Sequence, residues 1–269
     1  MSCACGHHHD HAPRRIEGGT EIALNAPLIA LEGRLICQDA TQMMTALSLL
    51  PEHVALSRAE PGNLRFELHQ SEDPMVWALS ELFADTQAFD AHRDRAARSI
   101  WGQQSAAIRR DFTRNEVLPR IRQEAKQDQA AITALLNRAF DGTSEGRLVD
   151  RLRMQGDLGL SLVADAAGMI LGHVALSPIT AERPALALAP VAVEPRVQGR
   201  GIGAALIRAA IDHYSDHLIV VLGDPDYYAR FGFQPVNWDS PYAGPYLQAL
   251  GPDLPSQMSI RHAPAFAAL

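Results

Sequence analysis

Gln198-Gly199-Arg200-Gly201-Ile202-Gly203 is a string that can hold a phosphate group. Alternating glycines let the main chain approach a bulky anion closely. A helical repeat starts at once, with Ile202, Leu206, Ala210 and Tyr214 at every fourth position and Ile207 and Ile211 beside them. The amino end of a helix carries unpaired N–H groups and partial positive charge. The string therefore reads as a phosphate cradle, with Arg196 and Arg200 adding positive charge at its rim. An apolar strand, residues 185–193, runs directly into it. A triphosphate-binding loop would need Gly-Lys-Ser/Thr here, and a dinucleotide loop Gly-x-Gly-x-x-Gly with a later acid; neither spacing is present.

A second group follows. His217 to Gly223 reads as a buried strand, and Asp224-Pro225-Asp226-Tyr227-Tyr228-Ala229-Arg230-Phe231-Gly232-Phe233 comes after it. A phenol of pKa about 10 can lend a proton to a sulfur of similar basicity. The order strand, Gln-x-x-Gly-x-Gly, helix resembles the coenzyme A pyrophosphate loop of the GNAT acetyltransferases. The string Leu-Gly-Asp-Pro-x-Tyr-Tyr-x-Arg-Phe-Gly-Phe is similar to the YhbS-type branch of that superfamily. The resemblance implies that acetyl-CoA is held by Val191, Val193, Gln198, Gly199, Arg200, Gly201, Ile202 and Gly203. It also implies that the Val193 amide polarises the thioester carbonyl and that Tyr228 protonates the departing thiolate. The residues do not single out the base: Glu194 and Asp224 are both candidates, and similar proteins often work through water instead. Ala189-Pro190 departs from the Gly-Pro commoner in similar sequences.

The elements that position these residues fall in two expected domains, an α+β arrangement. Residues 24–118 read as β-α-β-β-α-β, a ferredoxin-like unit. Residues 28–37 form a strand with Ile29, Leu31, Leu35 and Cys37 on one face. Asp39 caps a helix whose apolar face carries Met43, Met44, Leu47 and Leu50. Leu64, Phe66 and Leu68 alternate with polar residues, and residues 75–83 return as a hairpin partner. A helical region runs from Asp85 towards Ala107, and residues 111–117 supply the last strand. This stretch, with Glu81 and His92, resembles the antibiotic-biosynthesis-monooxygenase-like (dimeric α+β barrel) domains. That resemblance implies a dimerising role, hence a homodimer. Some relatives oxidise quinols without a cofactor. Residues 119–269 form the GNAT acetyltransferase fold, with Asp128 expected to cap its first helix.

Residues 1–23 form a Cys/His-rich tail, expected to be flexible. Two cysteines and four histidines fall within nine residues, among them Cys3, Cys5, His7, His9 and His11. Thiolate and imidazole are preferred ligands for Zn(II) and Cu(I), so the tail is a candidate metal site. The remaining bounds are broad. The chain has 269 residues, a formal net charge of −7 and 47% hydrophobic residues, which suits one or two globular domains and argues against nucleic acid as the main partner. No apolar stretch reaches transmembrane length and no signal-peptide core is seen, so a cytoplasmic, membrane-free protein is expected.

Three readings compete. The first is an acetyl-CoA-dependent N-acetyltransferase acting on an amine of a small molecule or protein, with an accessory dimerising domain. The second is a metal- or acetyl-CoA-responsive binding protein. The third is a cofactor-independent monooxygenase with an auxiliary transferase half. The intact glycine string with Tyr228 favours the first.

Overall fold

The computed structural model describes residues 19–268. The candidate metal ligands Cys3, Cys5, His7, His9 and His11 lie outside the described residues. Among the described residues no group of three or more His, Cys, Asp or Glu is placed to hold a metal ion. None of their helices is long and apolar enough to cross a membrane.

Strand β1 is Thr20–Glu21 and β2 is Leu28–Ile36. Helix α1 is Ala40–Arg58, entered through Asp39, whose carboxylate accepts the Gln42 amide as a cap. Then come β3 (Asn63–Gln70), β4 (Val76–Phe83), α2 (Thr86–Arg98), α3 (Ile100–Gln104) and β5 (Arg109–Val117). The expected continuous helical region breaks at Ser99. That residue leaves helical geometry and caps α3 by accepting the Gly102 amide. The sheet order is β3-β4-β2-β5 with all neighbours antiparallel, the ferredoxin-like arrangement that the element order implied.

The buried face of α1 differs from the expected one. Ala46, Leu50, His53 and Ser57 face inward, whereas Met44 and Leu47 are exposed. The expected face followed the largest apolar side chains. The observed stripe follows helical spacing and takes in two polar residues, each of which has partners inside.

The larger sheet is built from β6 (Arg120–Gln123), β7 (Leu160–Ala166), β8 (Met169–Ile179), β9 (Ala185–Val193), β10 (Leu218–Leu222), β11 (Gln234–Pro235) and β12 (Leu247–Leu250). Its order is β1-β6-β7-β8-β9-β10-β12-β11. Helices α4 (Gln129–Ala139), α5 (Ser144–Gln155), α6 (Ile202–His213) and α7 (Pro225–Ala229) accompany it. Thr20–Glu21, within the stretch expected to be a tail, pairs with Ile121 and Arg120 at the sheet's edge. Asp128 does not cap α4 by its side chain. It accepts the Ala125 amide and is paired with Arg122 instead.

Two features of this sheet shape the site. β9 and β10 run parallel but pair only through Ala185, Leu186 and Ala187. Beyond Ala187 they part, and β9 continues to Val193 with one edge unpaired. β9 also carries a bulge against β8 between the Val174 and Leu176 pairs, which bends it further. Meanwhile α6 lays Ile202, Leu206, Ile207 and Ala210 on the sheet, all fully buried, which fixes the helix's amino end at the parting. Burial of each of the three larger side chains, Ile202, Leu206 and Ile207, stabilises by roughly 1.5–3 kcal/mol.

The two sheets share a core. Leu28, Ala30, Leu64, Leu82 and Ala84 of the smaller unit pack in one cluster with Ile22, Ile121, Ala166 and Val197. This explains why Leu28, Ile29 and Ala30 are buried in succession, without the alternation expected of a half-exposed strand.

Candidate functional site

A cleft of about 440 Å³ opens where β9 leaves β10. Its wall comes from Val191 and Val193, its floor from Gln198, Gly199, Gly201, Ile202, Gly203 and Ala204, and its far side from Tyr227, Tyr228 and Arg230. Gly199 and Gly201 have φ of 74° and 89°, and a Cβ at either would meet no protein atom within 4 Å. The loop thus bends into a left-handed shape that side chains disfavour, and presents bare backbone to open space. The first internal bond of α6 runs from the Ala205 amide to the Gly201 carbonyl. The amides of Ile202, Gly203 and Ala204 precede it, so helix geometry leaves them for a ligand. Gln198 donates from Nε2 to the Val193 carbonyl at 3.1 Å, tying the loop to the splayed strand.

Tyr228 faces this cradle from α7. Its ring lies on Gly223, where a Cβ would stand 2.4 Å from Cε2, so the strand end must be glycine for the ring to pack there. Phe233 packs edge-on at 5.6 Å and Tyr227 at 5.1 Å. Burial, with the neighbouring Tyr227, pushes the Tyr228 phenol up to about 12. It therefore keeps its proton at any working pH. Among the described residues no hydrogen bond fixes either tyrosine hydroxyl.

Residues 157–235 match the family model of the acetyltransferase (GNAT) domain, and residues 40–99 that of antibiotic biosynthesis monooxygenase. The chain is 39% identical over 121 residues to a protein of Escherichia coli K12 named uncharacterized N-acetyltransferase YhbS, covering 42% of this chain and 72% of that one. To uncharacterized N-acetyltransferase YjhQ of the same strain it is 36% identical over 131 residues, covering 45% and 72%. The chain belongs to the GNAT acetyltransferase family. Its GNAT half also matches the crystal structure of E. coli YhbS in complex with CoA, at 29% identity and a TM-score of 0.51, over 55% of this chain and 92% of that one. The chain is a fusion of an antibiotic-biosynthesis-monooxygenase-like (ABM) domain with a GNAT N-acetyltransferase domain.

Of the residues expected to hold the coenzyme, Val191, Val193, Gln198, Gly199, Gly201, Ile202 and Gly203 line the GNAT cleft together, and Arg200 does not. Arg200 turns away and donates to the carbonyls of Ala84 and Ala26 in the ABM domain. The expected positive rim of Arg196 and Arg200 is therefore corrected. The cation at the cleft is Arg230, whose guanidinium stands 3.8 Å from the centre of the Tyr227 ring. Helical spacing held that signal, because positions 227 and 230 share a face.

Glu194, one of the two candidate bases, is also placed elsewhere. It is 2% exposed, and its carboxylate accepts Arg138 Nε at 3.0 Å and Arg196 Nε at 2.7 Å. It does not line the cleft. A carboxylate this buried needs such partners, and they leave it no room to take a proton from a substrate. Asp224 caps α7 by accepting the Asp226 amide at 3.0 Å. No carboxylate lines the described cleft.

The ABM domain encloses a second cavity, of about 380 Å³, between its sheet and helices. Leucines, Phe66, Phe89 and Trp101 make it mainly apolar, and its polar lining comes from Glu81, His92, His53, Arg93 and Arg110. Arg95 donates Nε to Glu60 Oε1 at 2.8 Å, so Glu60 is an acceptor, and His92 Nδ1 lies 2.8 Å from its other oxygen. Burial lowers the His92 pKa and outweighs the raising effect of Glu60. His92 is thus neutral, donating from Nδ1, with the Nε2 lone pair facing Glu81 Oε2 at 3.7 Å. Glu81 is 2% exposed, and Oε2 has no hydrogen-bond partner among the described residues. Burial first, then Glu60, pushes its carboxyl up to about 8, against a lowering by Arg95.

This has a measurable consequence. The unfolded chain releases the Glu81 proton near 4.5, while the folded protein holds it to about 8. The folded state binds more protons across that window, so stability falls as pH rises through it and the loss is complete above. Buried His53 and His173, held down to about 3 and about 4, act in the opposite sense, but only below their ordinary 6.5. Thermal unfolding of Glu81→Gln against wild type, between about pH 5 and about pH 8, should show the wild type losing stability relative to the variant, the histidine contributions being common to both. Parallel profiles would mean that Glu81 titrates normally.

Proposed function

We propose that the GNAT domain transfers the acetyl group of acetyl-CoA to the amine of a small-molecule or protein acceptor. The observation that carries this is the bare, positive-φ glycine loop at the head of α6 facing the protonated Tyr228 across the parted strands. The loop and the free amides of α6 bind the coenzyme's pyrophosphate. The unpaired edge of β9 meets the pantetheine arm, and the Val193 amide polarises the thioester carbonyl. A neutral amine attacks that carbonyl, the C–S bond breaks, and Tyr228 supplies the proton that the sulfur takes. With no carboxylate lining the cleft, the amine's surplus proton leaves through solvent or returns to the Tyr228 oxygen. The complex of E. coli YhbS with CoA supports the coenzyme assignment. Calorimetry should show acetyl-CoA binding to the full chain, and a thiol assay should show CoA release that depends on an added amine. Absence of coenzyme binding would reject the proposal.

A second reading is favoured by the ABM cavity. A mainly apolar chamber that pairs the neutral Glu81 carboxylic acid with the His92 imidazole, and is also lined by His53, Arg93 and Arg110, can seat a small, largely apolar molecule bearing a polar group. Such a pair could move a proton to or from it. This supports the monooxygenase alternative for that domain, and dioxygen uptake with simple quinols, lost in His92→Ala, is its test.

A further inference from the structure

Arg196 and Arg200 stand two residues either side of Gln198 in the cradle loop, yet neither lines the cleft. Arg196 donates Nη1 to the Asn63 carbonyl at 2.6 Å and Nη2 to the Leu64 carbonyl at 3.1 Å. Arg200 donates Nη1 to the Ala84 carbonyl at 2.5 Å and Nη2 to that of Ala26. All four acceptors are backbone carbonyls at one end of the ABM sheet. Asn63 and Leu64 open β3, Ala84 follows β4, and Ala26 precedes β2. A planar guanidinium that bridges two carbonyls fixes direction as well as distance, which a single ammonium cannot do.

Within its own domain the loop is held by the Gln198 side chain on the Val193 carbonyl at 3.1 Å, by Arg196 Nε on Glu194 at 2.7 Å and by the fully buried Val197 side chain. Its internal backbone bonds are Val197 N to the Glu194 carbonyl at 2.9 Å and Gln198 N to the Pro195 carbonyl at 3.4 Å. Both left-handed positions are glycines, the residues with most conformational freedom to lose. An unanchored loop of this kind would have to be ordered by its ligand, which weakens binding.

We infer that Arg196 and Arg200 are positioning residues of the acetyl-CoA site that act through the ABM domain. The strand ends of that domain serve as an anchor that keeps residues 198–203 in the shape the coenzyme phosphates require. The ABM domain is thereby part of the coenzyme-binding apparatus. The inference rests on the acetyl-CoA reading above. The competing role, direct charge on the phosphates, predicts different behaviour for lysine. Arg200→Lys keeps the charge but loses the rigid fork whose two nitrogens are spaced for the two carbonyls.

The experiment compares the full-length wild type with Arg200→Lys and Arg200→Gln. Hydrogen exchange is read first without coenzyme. The amides of residues 198–203 should exchange about tenfold faster in both variants, with β7 and β8 unchanged as the control for folding. Calorimetry should then show acetyl-CoA bound about tenfold more weakly by both. Unchanged exchange in both variants would overturn the inference. So would wild-type affinity in Arg200→Lys beside a loss in Arg200→Gln, because that pattern assigns the arginine to phosphate charge. If the wild type itself binds no acetyl-CoA, the coenzyme reading fails instead, and the exchange comparison still decides whether the anchor exists.

Discussion

Gly201→Val should weaken acetyl-CoA binding by about a hundredfold or more while leaving the fold intact, because several charge-assisted bonds to phosphate are lost together. Two effects act in the same direction. A Cβ at position 201 meets no protein atom within 4 Å, so it enters the space kept for ligand. The φ of 89° is also one that a β-branched residue scarcely adopts, so the loop must shift and carry its amides with it. The strain costs the folded state roughly 1–3 kcal/mol. Gly201→Ala separates the two effects, being less strained but still bearing the Cβ, and it should fall between wild type and Gly201→Val. Calorimetry on the folded proteins reads the affinities. Equal affinity in all three would remove the phosphate from this loop.

The glycine loop and the tyrosine element were legible because each is local. Phosphate binding by a helix amino end needs glycines, a strand and a helix within some twenty residues, and the periodicity of Ile202, Leu206 and Ala210 marks the helix unaided. The ferredoxin-like order was legible for the same reason, since alternation in β3 and capping by Asp39 and Asp85 are short-range signals. What failed were assignments of charge. Arg200 and Glu194 sit beside the loop in sequence, but a long, flexible side chain can turn either way. Their partners, Ala26, Ala84 and Arg138, lie 56 to 174 residues distant. Nothing in the local pattern records that a second domain packs against the loop and leaves backbone carbonyls to be satisfied there. The inward-facing His53 and Ser57 of α1 were missed for a related reason: Arg95 and Glu60, which join the polar cluster around them, are brought there only by the tertiary fold.

Tyr228→Phe is expected to lower turnover by about 10²–10³-fold while acetyl-CoA affinity changes little, since a leaving-group acid acts in the transition state. The packing argues that the substitution is clean. Phe keeps the ring on Gly223 and against Phe233, and it removes a hydroxyl that bonds no described residue. Stability should be unchanged or slightly higher. The energetics set a further condition on the wild type. A phenol at about 12 is a weaker acid than a free thiol of about 8.5, so outright transfer to the sulfur is uphill by roughly 5 kcal/mol. In the proposed mechanism this favours return of a proton from the attacking amine to the phenol oxygen over its loss to solvent, which leaves Tyr228 neutral after each turnover. The pH profile carries the sign of this arrangement. Turnover should rise with pH as the acceptor amine loses its proton, and no falling limb should appear until the pH approaches the raised pKa of about 12. A falling limb near the ordinary tyrosine value of about 10, absent in Tyr228→Phe, would show that the occupied site holds the phenol at a normal pKa. Turnover in Tyr228→Phe equal to wild type with the same amine would leave the hydroxyl without a part in the reaction and give the ring a packing role alone.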